Sequence, residues 1–232
     1  MNKEKLLLNL STSQWIKKII FCFVGVAFIG FAIAFNNLAG LGNDPLSVFF
    51  DGARVVLFNL TGINDLGLAT NIINYTLLVI IFIIAREYIH IGTFIYVLPL
   101  GSFVSLGVWI FNALHIPTNI LGYQILSSAI GCILLFLGLA IFISLEIGLD
   151  PWTALIMFLV KKTNSQFKII KVAMDVTTLL IGWAMGGKFF VTTVVAAVIG
   201  GPTIQFFTDL LNNTLFKALH ISKGEVKDST SM

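Results

Sequence analysis

The sequence predicts an all-α membrane protein: six transmembrane helices in two inverted three-helix repeats, each with a short re-entrant or interfacial helix after a Gly-x-Asp-Pro motif. Three observations lead there. Of 232 residues, 57% are hydrophobic and 11% are Asp, Glu, Lys or Arg, against roughly 25% charged in a soluble domain. Six stretches approach the roughly 20 apolar residues that a helix needs to cross a bilayer. And Gly42-Asn-Asp44-Pro45 returns as Gly148-Leu-Asp150-Pro151, at an offset of 106. A mean hydropathy of +0.97 excludes a soluble enzyme, a nucleic-acid-binding protein and a disordered chain.

In order, the expected spans are 19–36, 68–85, 92–114, 123–144, 169–186 and 189–211. Runs such as Leu77-Leu-Val-Ile-Ile-Phe-Ile-Ile-Ala85 do not alternate, which argues against barrel strands. With the N-terminus inside, twelve Lys and Arg residues fall on the cytosolic side and only Arg54 and Lys188 outside, the bias that cytoplasmic loops carry. The chain then divides into a cytosolic tail (1–18), a first repeat (19–114), a short outer loop (115–122), a second repeat (123–215) and a cytosolic tail (216–232). Lys17-Lys18, an apolar run and Ala32-Ile-Ala34 share the outline of a cleavable signal. The recurrence of the same residues in an internal helix argues for a true span instead.

The two Gly-x-Asp-Pro segments are too short or too charged to cross and too apolar for plain loops. Asp is a good N-cap, Pro fits the first helical turn, and Gly permits a sharp reversal. Each motif should therefore start a short helix directly after a span, either lying at the interface or dipping back in. Further matches follow at the same offset, Gly25 on Gly131, Ala34 on Ala140 and Ser47 on Thr153; a smaller offset, caused by a longer first loop, then puts Asn74 on Asp175 and later Gly101 on Gly201. Three spans per half is an odd number, so the halves enter the membrane from opposite sides, as in many secondary transporters.

Six residues are candidates for binding a substrate: Asp44, Ser47, Asn74, Asp150, Thr153 and Asp175. Asp44 and Asp150 serve either as caps or as direct ligands. Asp175 is an acid inside an expected span, which usually marks a functional site; the plain alternative is an ion pair with Lys171, one turn back. Arg54 could hold an anion or pair with Asp51 three residues earlier, and the spacing favours the pair. Asp209 should reach water, with Gln205 one turn deeper. Pro99 and Pro202 should kink the third helix of each half, and Gly30-x-x-x-Ala34 and Ala197-x-x-x-Gly201 suit close helix packing. Trp15, Trp109, Trp152 and Trp183 are expected at the membrane interfaces. Cys22, Cys132, His90, His115 and His220 are too scattered for a metal, and no Walker, GxSxG, HExxH or CxxC signature is present. No catalytic residue, metal or cofactor is expected.

The motifs Ala39-Gly-Leu-Gly-Asn-Asp-Pro-Leu-Ser47, Ile147-Gly-Leu-Asp-Pro-Trp-Thr153, the helix 171–187 and Ile199-Gly-Gly-Pro202 together resemble the YczE/YitT-type bacterial membrane proteins, the YczE branch in particular. The second motif departs from the first in having Glu146 where the first has Gly40. The resemblance implies a multi-pass protein of the bacterial plasma membrane, with both ends cytoplasmic, and carries no catalytic residues with it. The expected function is a small secondary transporter or permease for an unidentified small molecule or ion, with its site between the repeats. The alternatives are a non-transporting membrane scaffold and a substrate-binding subunit energised by a separate ATPase. Partners are the lipid bilayer and the substrate, not nucleic acid, and a homo-oligomer stays open.

Overall fold

A computed structural model describes residues 12–219. The outer parts of both expected tails, with His220, lie outside the described residues. Eight helices of thirteen residues or more follow one another: α1 (Thr12–Ala39), α2 (Pro45–Thr61), α3 (Leu66–Ile84), α4 (Ile91–Ala113), α5 (Leu121–Leu145), α6 (Pro151–Thr163), α7 (Phe167–Ala184) and α8 (Val191–Asn213). A 3-10 turn (Arg86–Tyr88) joins α3 to α4, and a four-residue helix, α9 (Leu215–Ala218), ends the described chain.

Five segments are long and apolar enough to cross a bilayer: α1, α3, α4, α5 and the stretch Val191–Ala218. The expected span at 169–186 does form as the helix α7. However, Lys168, Lys171 and Asp175 fall in its first half, so its apolar stretch is shorter than the other five. The first span begins at Thr12 rather than at 19, which draws Lys17 and Lys18 into the helix.

The centre of the bundle is an antiparallel pair, α1 against α5. Lys18 Nζ bonds the Leu145 carbonyl at 2.9 Å, Gly25 meets Gly138 and Ile141, and Asn36 meets Gly131. The absence of side chains at Gly25, Gly131 and Gly138 lets the two backbones approach. On one side α4 packs onto α1 through Gly30 and Gly107, the latter against Ala34. On the other, α8 packs onto α5, with Gly200 against Phe136. The expected small pair Gly30/Ala34 therefore lies in a helix interface. Ala197 and Gly201 are exposed, and Ala196 and Gly200 face inward instead. Pro99 and Pro202 lie inside α4 and α8 as expected.

Cations sort to the two ends. Lys17 bonds the Leu219 carbonyl and Lys18 that of Leu145, while Lys161 and Glu87 form an exposed ion pair at 2.7 Å. At the other end Lys188 Nζ bonds the Asn37 carbonyl at 3.2 Å. Lys18 and Asn37 sit on one continuous helix, about 28 Å apart at 1.5 Å per residue, close to the thickness of bilayer hydrocarbon.

Both Asp-Pro segments turn back sharply. Gly40 and Glu146 have left-handed φ angles of 79° and 52°, so the Glu keeps the conformation that the Gly adopts at the matching position. Asn43 Nδ2 reaches back to the Ile33 carbonyl at 3.1 Å. Because Ile33 lies six residues before the end of α1, α2 starts beside the body of α1 rather than beyond it. The loop after α1 docks on the start of α8: Thr192 N–H donates to the Leu41 carbonyl at 2.9 Å and Asn43 N–H to Thr193 Oγ1 at 3.2 Å. The loop after α5 docks on the start of α4: Gly92 N–H donates to the Ile147 carbonyl at 3.1 Å, and Thr93 Oγ1 to the Leu149 carbonyl at 2.7 Å.

At Gly42 φ is +94°, and a Cβ placed there would lie 2.6 Å from Thr193 Oγ1. At Gly40 the φ is also positive, but the space is open. Gly42→Ala should therefore cost more than the roughly 1–3 kcal/mol of left-handed strain alone, and Gly40→Ala only that strain. Thermal unfolding of the purified protein in detergent should rank Gly42→Ala below Gly40→Ala, and both below the parent.

Candidate functional site

Asp44 and Asp150 are N-caps in the structure, with Pro45 and Pro151 at the first helical positions. Asp44 accepts from the Ser47 amide at 3.4 Å and from the Ser47 hydroxyl, and its own N–H is held by Asn43 Oδ1 at 3.0 Å. Asp150 accepts from the Thr153 amide at 2.9 Å. Ser47 and Thr153 thus occupy corresponding places in the two caps.

Tyr96, on the second turn of α4, ties the two caps together. Its side chain is 5% exposed, its ring sits 5.2 Å from that of Phe142, and its phenol lies within electrostatic reach of both Asp44 and Asp150. Asp44 also feels Asp175 and Lys171 from α7 and acts on Cys132 of α5. Asp44 thus lies within electrostatic reach of a phenol and an ion pair, and that phenol within reach of Asp150, with four helices contributing. Sequence reasoning missed Tyr96, since a lone Tyr in an apolar run carries no distinguishing signal.

Asp175 pairs with Lys171 at 2.7 Å, one turn apart, so the plain alternative is what the structure contains. The pair is only partly buried, and its net charge is small. Asn74 is 2% exposed and donates to the Thr70 carbonyl at 2.9 Å within its own helix. No described contact links it to Asp175 or to either cap. Gln205 bonds Asp209 at 2.9 Å at the exposed end of α8.

An apolar cluster joins four helices near the two caps: Leu46 of α2, Ile73 and Leu77 of α3, Trp152 and Ile156 of α6, and Met174 of α7. Trp152 was expected at an interface with the other tryptophans; it is instead 9% exposed, and its indole N–H is buried without a partner. A short helix that folds back carries its first residues inward, and Trp152 is the second residue of α6. Trp109 and Trp183, at 67% and 61% exposure, do face outward.

A second polar constellation lies at the end of the bundle where Lys188 sits. Asp51, 1% exposed, accepts from Arg54 at 2.8 Å through one oxygen and from the Lys188 amide at 2.9 Å through the other. Arg54 also bonds Asn64. The expected Asp51–Arg54 pair is present, and it fastens the loop after α7 to α2. Above it α2 and α7 lie in close contact, with Gly52 against Gly182.

Among the described residues no group of three or more His, Cys, Asp or Glu could hold a metal. The profile of a family of unknown function, DUF6198, matches residues 16–209. The chain is 24% identical to the uncharacterized membrane protein YczE of Bacillus subtilis, over 80% of this chain and 83% of that one. It is 21% identical to an uncharacterized protein of Haemophilus influenzae, over 88% of each. No solved structure matches. The homology to YczE and the five span-length helices make this a polytopic membrane protein.

Asp51→Ala should lower stability on the order of 3 kcal/mol, because it strands the Arg54 charge and the Lys188 amide. Replacing both members of the pair by Leu should recover part of that loss. Thermal midpoints of the single and double variants in detergent check the ordering.

Proposed function

The chain belongs to DUF6198, a family of unknown function, and we propose that it is a small secondary transporter of six spans in two inverted repeats, with its substrate site where α2 and α6 begin. The observation that carries the reading is the crossed docking of the two reversing loops. Residues 41–43 rest on 192–193, and 147–149 rest on 92–93. The loops are related by the offset of 106 and their docking partners by an offset of 100, the one that pairs Gly101 with Gly201. Each half therefore holds the broken stretch of the other.

Helix pairs between the halves support the same reading: α1 packs on its counterpart α5, α2 on α7, and α6 on α3. α7 is the sixth span in this reading. Its charged first turns carry Lys168 and Lys171 at the cation-rich end, and pairing with Lys171 moderates the burial of Asp175. Re-entry of α2, rather than a surface position, is supported by the Asn43–Ile33 bond. Non-helical backbone at that depth is tolerated only where protein or a water-filled cavity surrounds it. The charge bias favours cytosolic termini.

In this reading the two helix starts, both within electrostatic reach of Tyr96, approach from opposite faces and give a centre about which the halves can rock. Ser47 and Thr153 supply hydroxyls, Asp44 and Asp150 carboxylates, and Trp152 an unused donor. The Lys171–Asp175 pair lies at the edge of this centre, where it can open as α7 moves.

Purified protein in liposomes, offered a panel of amino acids, organic acids, nucleobases and monovalent cations under an imposed ion gradient, should accumulate at least one solute above empty vesicles. Asp44→Ala and Asp150→Ala should abolish the uptake at a stability cost of about 1 kcal/mol each, while Asp44→Asn should keep the cap. A protein that moves nothing on the panel contradicts the transporter. Topology is checked separately. In intact cells an impermeant thiol reagent should label Asn119→Cys and spare Ser165→Cys; the reverse pattern inverts the orientation.

A further inference from the structure

The cation-poor end of the bundle holds a cavity of about 490 Å³, formed by the end of α1, the middle of α2, the start of α3, the last turns of α4 and the loop before α8. We propose that this cavity is a binding site for a small hydrophilic solute carrying a carboxylate. The site is independent of the transport reading and of the centre around Tyr96.

The only Lys or Arg residues at this end of the described chain, Arg54 and Lys188, both line the cavity, although 134 positions separate them in sequence. Arg54 is held in place by Asp51 and Asn64, which leaves two of its five N–H groups unassigned. Lys188 Nζ has a carbonyl partner but no carboxylate within ion-pair distance among the described residues. Asp51 lies behind the wall rather than in it. The one acid in the lining, Asp65, caps α3 by accepting from the amides of Gly67 and Leu68, and it also accepts from the Ser105 hydroxyl at 3.1 Å. Two cationic side chains thus face the cavity against one carboxylate in its lining, with Asp51 balancing Arg54 from behind the wall.

The second observation is Asn37. It is 6% exposed, lines the cavity, and holds Lys188 Nζ through its backbone carbonyl at 3.2 Å. With the free N–H groups of Lys188 and Arg54 it offers a donor set for carboxylate oxygens. Charge-assisted hydrogen bonds of this kind are the strong ones, and low-dielectric walls focus the field inside a cleft.

The test uses the full chain in nanodiscs with Cys22→Ala and Cys132→Ala, and one reporter cysteine. Asn112→Cys sits in the cavity wall, and Asn119→Cys lies on the neighbouring exposed loop. Modification rates are measured with anionic methanethiosulfonate ethylsulfonate and cationic methanethiosulfonate ethyltrimethylammonium. The anionic-to-cationic rate ratio should be about tenfold higher for the cavity reporter than for the loop reporter. Lys188→Gln should bring it down toward the loop value. Succinate or glutamate should slow labelling of the cavity reporter alone, beyond the effect of sodium chloride at equal ionic strength, and the Lys188→Gln variant should lose that protection. Equal ratios at the two reporters, a ratio indifferent to Lys188→Gln, or protection by putrescine in place of succinate would each overturn the assignment. If Asn112→Cys is not monodisperse, Val108→Cys in the same wall serves as reporter.

Discussion

A lipid interior supplies no hydrogen-bond partners, so every backbone group that leaves helical geometry there must find one in the protein. In the proposed re-entrant arrangement this constraint organises the structure. The two loops after α1 and α5 expose amides and carbonyls that a helix would have satisfied internally, and the starts of α8 and α4 satisfy them. The first turns of those helices carry free N–H groups by necessity. Thr192 and Gly92 spend theirs on Leu41 and Ile147, while the Thr193 and Thr93 hydroxyls reach Asn43 and Leu149. One deficit cancels the other, and a donor-rich helix start becomes the natural seat for a broken stretch of chain.

The same economy governs charge. Lys18 and Lys188 each place an ammonium on carbonyls at the end of a central helix, α5 and α1 respectively, where the helix dipole is negative. Asp44, Asp65 and Asp150 each sit at a helix start, where it is positive. Asp51 has no helix end to neutralise it and therefore takes two partners, Arg54 and the Lys188 amide. These groups are thus absorbed into helix termini or into a local clamp, and the exposed Lys161–Glu87 pair adds little by comparison.

Much of this was legible in the sequence. Asp-Pro after Gly specified both caps because capping is a local property of three or four residues. The offset of 106 identified the two reversing loops, and the structure gives Glu146 the left-handed backbone of Gly40 in spite of its side chain. What escaped was tertiary. Thr93 and Thr193 look like ordinary helix-start residues, although the offset of 100 carried back from Gly101 and Gly201 would have reached them. Trp152 read as an interfacial anchor because hydropathy records depth along a straight helix and not the return of a short one. The packing face of α8 was misplaced by one residue, Ala197/Gly201 for Ala196/Gly200, since helix rotation follows from neighbours that a small-residue pattern does not name. The charged start of α7 had been counted within a span on overall apolarity.

The crossed docking has a consequence for how the chain is made. The loop at 41–43 leaves the ribosome about 150 residues before its seat at 192–193 exists, whereas the loop at 147–149 finds residues 92–93 already in place. At typical synthesis speeds of about 5–20 residues per second, the early loop waits on the order of ten seconds. During that interval its backbone groups lack the partners that the finished fold gives them. Only the last long helix supplies those partners, so the bundle closes in one late step rather than half by half.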